Sequence, residues 1–309
     1  MPNYNGVWSL STQYQNTTGW PSPPPPIALF AGGNGGSNSN IIDKVTISTA
    51  ANAVDFGDLT AAAIGVGGVG NQTRAVFSRG SNTLEFVAFA TSGNATDFGD
   101  LSLTDSSRAA ACSNSTRGCF SSGSEEENTI QYITIASTGN ATDFGDDVGS
   151  KRYGGGTSGN PTRGLFFGGN HSGTTVNVIS YINPASTGNA ADFGDMSAAK
   201  YHPRGCNSKT RAVIGGGTVS NPVNVMEYVT TASTGNVTDF GNLRATLTAP
   251  AGASSDTIGF FAGGYTGSAY NGEINAITIA TTGNATDFGD LTLARYQLGG
   301  VSNGHGGLG

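Results

Sequence analysis

Charged side chains are scarce in this sequence, and what it lacks excludes several classes of protein. Charged residues make up only 11% of the 309 positions and the net charge is −7, so the basic surface that nucleic-acid binding requires is missing. So low a charge also argues against a solvated, disordered chain. No apolar run approaches the roughly 18 residues of a membrane span, and no basic n-region precedes an apolar stretch as in a secretory signal. We therefore expect a folded protein that neither binds nucleic acid nor inserts into a membrane.

Cysteine and histidine are also rare, with three residues of each type. An odd, sparse set of cysteines is not a disulfide framework. Cys112 and Cys119 flank a short turn, so they could bridge across one hairpin or, by default, be buried thiols. The sequence also has no Gly-x-Ser-x-Gly elbow, no phosphate-binding glycine loop and no His-Glu-x-x-His. We therefore expect no enzyme activity, no metal and no cofactor.

What the sequence does contain is a repeat built around Asp-Phe-Gly. Successive copies are 42 to 49 residues apart. Each follows a turn of the Ser-Thr-Gly-Asn type and alternating runs of β-branched and aromatic residues, which is strand and hairpin chemistry. Four short strands in a period of about 45 residues are typical of one propeller blade. The copies begin at Asp55, Asp97, Asp143, Asp192, Asp239 and Asp287.

The order of elements within a unit resembles the kelch repeat. In that family the second strand ends in a diglycine, the third carries an alternating run with an aromatic residue, and the fourth carries a packing aromatic. Two units lack the diglycine, and Phe stands where kelch repeats usually have Trp, so we call the repeat kelch-like. The resemblance covers about residues 27–309. The diglycines are Gly32-Gly33, Gly168-Gly169, Gly215-Gly216 and Gly263-Gly264.

The two ends of the repeat region complement each other. The first unit begins at the second-strand position with Ile27 and lacks a first strand, whereas residues 296–303 match the first-strand position of other units. We expect this last segment to complete blade one and close the ring, which removes exposed strand edges. The fold prediction is therefore an all-β, six-bladed, kelch-like β-propeller of four-stranded blades over residues 27–309, closed by the C-terminal strand and preceded by an extended arm.

The arm, residues 1–26, does not belong to the repeat. It carries both tryptophans of the chain, Trp8 and Trp20, together with Tyr14, and ends in a proline run. Such a run excludes helix and central strand and favours an extended polyproline spacer. The aromatic residues either fold back onto the propeller or dock into another protein. We favour docking, which also allows a homo-oligomer to form through the arm.

Three positions of the repeat are expected to have structural roles. The Phe of Asp-Phe-Gly should pack between neighbouring blades, where burying one contributes roughly 1.5–3 kcal/mol. The preceding Asp should cap a turn, although Asp143 and Asp146 could alternatively ligate calcium. The Arg that opens the second strand should bond to a neighbouring blade's loop carbonyls or Asp, the alternative being a ring of receptor-facing cations. These residues are Phe56, Phe98, Phe144, Phe193, Phe240 and Phe288, and Arg74, Arg117, Arg163 and Arg211.

One face of such a propeller is expected to recognise a ligand. The loops between second and third strands and the crossings between blades share a face and differ in every unit, whereas the opposite turns are nearly identical. Function concentrates on loops held by a rigid scaffold. An aromatic residue beside amides suits stacking on a sugar, so Tyr265, Tyr270 and Asn271 are the best candidates, the alternative being ordinary loop residues. The other candidates are His171, Tyr201 and His202.

The near-identical repeats and the arm also resemble virion proteins of marine tailed phages, especially those that infect cyanobacteria. The phrases Asn-Ala-Thr-Asp-Phe-Gly-Asp-Leu and Gly-Val-Trp-Ser-Leu-Ser-Thr-Gln-Tyr-Gln carry this likeness. It implies a tail-fibre, adhesin or capsid-surface protein, made in the host cytoplasm and located in the virion, whose propeller serves host-surface recognition or decoration. Its partners would be other virion proteins, bound through residues 1–26, and a host-surface glycan.

A carbohydrate-active or otherwise catalytic propeller is the alternative. Some kelch relatives are oxidases, and a copper site would need a Tyr–Cys pair with two histidines; Tyr201, His202, Cys206 and His305 are the residues available. A glycosidase would need two acids converging in one cleft. Most acids here belong to the repeated turn, so the non-enzymatic interpretation is favoured.

Overall fold

A computed structural model describes residues 25–102, 107–121, 123, 127–149 and 153–308, and over these ranges the chain is a six-bladed β-propeller. Six four-stranded antiparallel sheets form the blades, and the inner strand of each contacts those of the two neighbouring blades, so the ring is closed. The predicted all-β, six-bladed propeller of four-stranded blades, closed by the C-terminal strand, is confirmed. No helix within the described ranges is long and apolar enough to cross a membrane. The predicted arm residues Trp8, Tyr14 and Trp20 lie outside the described residues.

Each blade runs from an inner strand beside the axis to an outer strand at the rim. Blade 1 comprises β1 (Ile27–Ala31), β2 (Ser39–Thr46), β3 (Val54–Ala63) and, innermost, β26 (Gly299–Ser302). Blade 2 comprises β4 (Gly67–Gly70), β5 (Arg74–Ser78), β6 (Thr83–Ala88) and β7 (Thr96–Asp100). Blade 3 comprises β8 (Ala110–Ser113), β9 (Arg117–Ser121), β10 (Thr129–Thr134) and β11 (Thr142–Asp146).

The remaining three blades follow the same plan. Blade 4 comprises β12 (Gly155–Asn160), β13 (Arg163–Phe167), β16 (Val178–Ile182) and β17 (Ala191–Asp195), with the small hairpin β14 (Asn170–His171) and β15 (Thr174–Thr175) between its middle strands. Blade 5 comprises β18 (Arg204–Asn207), β19 (Arg211–Gly215), β20 (Val223–Thr230) and β21 (Thr238–Leu247). Blade 6 comprises β22 (Ala251–Ser254), β23 (Ile258–Ala262), β24 (Glu273–Thr278) and β25 (Thr286–Asp290).

The C-terminal segment closes the ring as predicted. Strand β26 pairs antiparallel with β1, with Ala28 opposite Ser302, and the Ile27 N–H donates to Asn303 Oδ1 at 2.8 Å. The closing interface also holds a completely buried ion pair, with Arg295 Nη1 2.9 Å from Asp43 Oδ2. Because an unpaired charge at this depth would be costly, this pair strongly favours blade 6 as the neighbour of blade 1.

The six repeated Phe side chains are buried, with at most 8% exposed, and each lies in a cluster shared by two neighbouring blades. Phe56 of blade 1, for example, packs in a cluster with Leu29 of its own blade and Ala75 and Phe77 of blade 2. An aromatic residue of the third strand makes an edge-on contact with Phe98, Phe144, Phe193 and Phe240 at centroid distances of 5.8 to 6.1 Å. The core of this protein is therefore a set of interfaces between blades.

The Asp-Phe-Gly strand of each blade is latched to the Asn-containing turn of the next. The turn Asn accepts, through Oδ1, the backbone N–H of the residue two after the Phe, at 3.0 to 3.1 Å in all six interfaces. The glycine of Asp-Phe-Gly has φ between 139° and 151°, and a Cβ there would lie 2.3 to 2.6 Å from the facing turn. The latch therefore requires glycine. Its Asn residues are Asn52, Asn94, Asn140, Asn189, Asn236 and Asn284.

A second polar contact lies deeper in every interface. A buried side chain of the third strand bonds to a residue three or four positions after the repeated Phe of the preceding blade, as when Glu85 accepts the Thr60 N–H at 2.9 Å. All three acids among these side chains form ion pairs: Asp43 with Arg295 as described above, Glu227 with Lys200 at 2.8 Å, and Glu85 with Arg79 at 3.2 Å. The six side chains are Asp43, Glu85, Gln131, Ser180, Glu227 and Asn275.

The arginines that open the second strands bond to neighbouring blades, as predicted. Each guanidinium donates to backbone carbonyls at the end of the third strand of the next blade, for example Arg74 to Ala136 at 2.8 Å and Arg163 to Thr231 at 2.8 Å. Each also lies over an aromatic ring of its own blade, at 4.2 to 5.0 Å from the centroid. These cations are therefore used within the scaffold.

The cysteines and one of the repeated acids make structural contacts. All three cysteines are buried free thiols, and Cys112 lies opposite Cys119 across the β8–β9 hairpin. Burial raises the pKa of the Cys112 and Cys206 thiols well above the usual range. Asp287 accepts the Gly289 N–H at 3.2 Å, which is the predicted turn cap. Among the described residues, no group of three or more His, Cys, Asp or Glu could hold a metal ion.

Removal of residues 296–309 should open the ring. This deletion takes away β26, which pairs with β1, and leaves strand edges that favour aggregation. Removal of residues 304–309 alone should leave a monomer, because β26 stays paired. Size-exclusion chromatography and thermal melting of the two truncated proteins provide the measurement. A monomeric 1–295 protein with an unchanged Tm would contradict the assignment of closure to β26.

The latch can be tested with two glycines that face each other. Gly57→Ala places a Cβ 2.3 Å from the Gly93 carbonyl at a φ of 151°, so it should cost about 2–4 kcal/mol of unfolding free energy. Gly93→Ala has nothing within 4 Å of its Cβ and should change stability by less than about 1 kcal/mol. Urea unfolding of both variants gives the comparison, and equal effects would show that the close approach is not what requires glycine.

Candidate functional site

The crossings between blades form a ring around the axis on the varied face. One residue in each crossing has a positive φ, between 49° and 72°, and five of the six are not glycine. Neighbouring members are joined by backbone hydrogen bonds at five of the six steps, for example from the His202 N–H to the Tyr153 carbonyl at 2.8 Å. We call this ring the axial mouth. Its members are Gly65, Arg108, Tyr153, His202, Ala249 and Gln297.

Three side chains of the axial mouth stack on one another. The Arg108 guanidinium carbon lies 5.0 Å from the centroid of the Tyr153 ring, and the Tyr153 and His202 rings are 5.2 Å apart. Tyr201 extends the stack, with its ring centroid 5.1 Å from that of His202. Non-glycine residues at positive φ each cost about 1–3 kcal/mol, and such strain clusters at functional sites.

Buried polar atoms without partners concentrate here. Within the part of the chain that the structure describes, Arg108 Nε, His202 Nε2 and Gln297 Oε1 are buried and make no hydrogen bond. Gln297 is only 3% exposed. A buried polar atom left without a partner costs about 1–3 kcal/mol, so each of them calls for an explanation. Three such atoms in one ring make the axial mouth a candidate site for a polar ligand.

The axial mouth is also positively charged. Arg204 is buried below it and donates to the Gly154 and Pro203 carbonyls, both at 3.0 Å. Burial and the neighbouring Arg108 lower the pKa of Arg204 to about 10, so it is still a cation at neutral pH. Burial, together with the two arginines, lowers the pKa of His202 to about 3, so this imidazole is neutral. Across the described ranges, neither Arg108 nor Arg204 pairs with a carboxylate.

A cluster of three tyrosines adjoins the axial mouth at the closing interface. The rings of Tyr265, Tyr270 and Tyr296 lie 5.6 to 5.8 Å apart, and Tyr270 is 40% exposed. Backbone bridges join Tyr265 to Tyr270 and Tyr296 to Asn34. We call these three residues the tyrosine platform. Because Tyr296 directly precedes Gln297, the platform and the axial mouth are continuous.

The residues singled out from the sequence fall into two groups. Tyr265 and Tyr270 lie in the tyrosine platform, and Tyr201 and His202 lie at the axial mouth, whereas His171 is exposed on the β14–β15 hairpin of blade 4. Asn271 is half-buried, and its Oδ1 accepts the Glu273 N–H at 2.7 Å, so this oxygen already has a role in the turn.

Sequence reasoning missed Tyr296 and most of the axial mouth. The signal was present in the repeat, because every mouth residue lies ten or eleven positions after the Asp of its Asp-Phe-Gly. That fixed offset predicts one equivalent position per blade. The side chains at these positions share no chemistry, so comparison of residue types could not reveal them. The residues missed are Arg108, Tyr153, Gln297 and Tyr296.

The axis below the mouth is too narrow for a substrate. It is lined mainly by Gly, Ala and Ser of the inner strands, and its two main spaces measure about 50 and 40 Å³. A buried water occupies at least about 10–15 Å³ by this measure, so only a few waters fit. A ligand of the size of a sugar must therefore bind at the face.

The chain after β26 plugs the opposite end of the axis. His305 is buried there, its Nε2 lies 3.0 Å from the Gly70 carbonyl, and its Nδ1 accepts the Gly307 N–H at 3.2 Å. These bonds assign the proton to Nε2. Burial lowers the pKa of His305 to about 4, although the bond to Gly70 and the charge of Asp256 act in the other direction. Sequence reasoning assigned β26 to ring closure but did not predict this plug.

The residues considered for a copper centre are not brought together. His305 lies beside Ser113 at one end of β8, whereas the crossing that holds Arg108, which stacks with Tyr153 and His202, lies at the other end. Cys206 packs in the apolar cluster between blades 5 and 6. The four candidates therefore occupy three separate places.

In comparisons with known proteins, no family model matches the sequence and no curated protein matches it. The propeller is established by its strand order and closure. The kelch-like and virion resemblances stay predictions that rest on the motif residues named above.

Stability should fall in acid partly because of His305. The unfolded imidazole binds its proton near pH 6.5 and the folded one near pH 4, so the folded state loses up to about 3 kcal/mol as the pH falls from 6.5 to 4. The His305→Gln variant keeps a donor for Gly70 and does not titrate, so its Tm should fall less between pH 7 and 4.5. Thermal melts of both proteins at several pH values give the measurement, and identical slopes would contradict the burial of a neutral His305.

Proposed function

We propose that this protein is a non-enzymatic virion structural protein whose propeller recognises a host-surface glycan. The observation that carries this proposal is the tyrosine platform, whose rings gather on the varied face with Tyr270 exposed. Aromatic faces bind the apolar faces of sugars, and nearby amides and hydroxyls bind their hydroxyl groups. Asn271 lies in the same loop as Tyr270, and because its Oδ1 accepts the Glu273 N–H, it would contribute its amide nitrogen.

The difference between the repeated face and the varied face of the propeller supports the same proposal. On the repeated face, the turn Asn residues and the glycines opposite them are engaged in latching blades together. On the varied face, the loops and crossings differ between units and carry the platform and the axial mouth. Substitutions on the varied face can therefore change recognition without changing the contacts between blades.

Residues 1–26 are proposed to attach the propeller to other virion proteins. Trp8, Tyr14 and Trp20 would serve as anchors. The proline run would serve as a spacer. Attachment through this arm would also allow several propellers to be displayed together, which raises the avidity for a multivalent surface. A kelch-like relationship and a virion location are parts of this proposal.

The tyrosine platform should determine glycan binding. On a glycan array, Tyr270→Ala should lose about tenfold or more in signal relative to wild type, because one stacked ring contributes on this scale. Thr187→Ala, an exposed residue of the repeated turn, is the matched control and should bind like wild type. Loss of binding in Thr187→Ala, with Tyr270→Ala unaffected, would overturn the assignment of the recognition face.

The arm and the catalytic alternative are tested together. Virions should not capture protein that lacks residues 1–26, whereas they should retain the full chain.

The glycans of the array are analysed for cleavage or oxidation products after incubation with the full chain. Product formation would favour a carbohydrate-active propeller over the proposed binding protein.

A further inference from the structure

We infer that the axial mouth is a binding site for the carboxylate and adjacent hydroxyl groups of an acidic sugar. This inference rests on the proposed glycan recognition and names the substrate class. The site consists of Arg108, Tyr153, His202 and Gln297, with Arg204 buried beneath.

The charge of the site selects an anion. Arg108 and Arg204 are close enough for Arg108 to lower the pKa of Arg204, and both act on His202. One buried and one half-buried cation, with no carboxylate paired to them in the described ranges, are unusual in a protein of net charge −7. A ligand carboxylate would supply the missing counter-charge and accept a hydrogen bond from the Arg108 Nε–H.

The unpartnered atoms narrow the class of anion further. Gln297 Oε1 is an acceptor and needs a donor from the ligand, whereas Arg108 Nε is a donor and needs an acceptor. Sulfate, and a phosphate monoester that has lost both protons, offer acceptors only. A sugar acid offers a carboxylate and hydroxyl donors a few ångströms apart, so it can satisfy both protein atoms at once.

The surroundings also fit a sugar ring. Tyr153 and His202 line the site with aromatic surface, and Tyr296 of the platform is the chain neighbour of Gln297. The narrow axis below the axial mouth prevents deeper entry of the sugar, because its spaces hold only a few waters. An oligosaccharide could therefore lie across the face, with its acidic residue at the axial mouth and a neighbouring residue on the tyrosine platform.

The test uses two acidic oligosaccharides, trigalacturonate and sialyllactose, each also as its methyl ester. Isothermal titration of the full chain should show that at least one acid binds about tenfold or more tightly than its ester, as expected for a charge-assisted bond. Arg108→Gln should remove this preference. Lys209→Gln changes the net charge equally at an exposed site on the opposite face and should keep it.

A second variant tests the need for a hydroxyl donor. Gln297→Met keeps the side-chain length and removes the acceptor, so it should weaken binding of the acid and the ester by similar factors, whereas Arg108→Gln acts on the acid alone. Circular dichroism melts verify that each variant is folded. Inorganic phosphate serves as competitor, and displacement of the acidic sugar at equal concentration would overturn the inference in favour of a simple anion site.

The two proposals fail differently. If neutral glycans bind through the platform but the acid and ester forms bind equally, the axial-mouth inference is wrong and glycan recognition stands. If the array and both acidic oligosaccharides give no binding to wild type, both proposals are wrong. If Arg108→Gln leaves the acid preference intact, the carboxylate binds elsewhere on the propeller.

Discussion

The latch between an Asp-Phe-Gly strand and the Asn-containing turn of the next blade is the contact on which the rest of this structure depends. It joins all six interfaces by the same side-chain bond, and the repeated Phe is buried beside it. Since each blade has no core of its own, stability comes from these interfaces. The need for glycine, asparagine and phenylalanine at fixed offsets explains why the motif varies so little along the chain.

Specific polar contacts distinguish one blade interface from another. The latch is identical at every interface and cannot distinguish them, whereas the buried third-strand side chains differ from blade to blade. At the closing interface the pair is Asp43 with Arg295, and between blades 4 and 5 it is Glu227 with Lys200. A mismatched neighbour would leave a charge buried without a partner, which is among the costliest defects in a core. The ring is therefore held together by one contact that is the same at every interface, the latch, and by buried polar contacts that differ between interfaces.

The repeated crossings between blades also form the candidate binding site. Each crossing places one residue at a positive φ around the axis, so a change at one repeat position puts a new side chain at the axial mouth without altering a latch. Arg108, Tyr153, His202 and Gln297 are four such changes, whereas Gly65 and Ala249 leave room beside them. A scaffold that repeats its structural residues and varies its crossing residues separates stability from recognition.

The architecture could be predicted from the residues alone: the period, the strand order, the number of blades, the closure by the C-terminal segment and the Arg contacts between blades. These follow from local patterns that repeat along the chain. Which residues meet at the axis and at the closing interface became visible only in the folded ring. The axial mouth gathers residues 43 to 49 positions apart with no shared chemistry, and Asp43 meets Arg295 across almost the whole chain. These contacts form because the closed ring brings residues of distant repeats close together. The period of a sequence predicts the repeats but not which of their side chains come into contact.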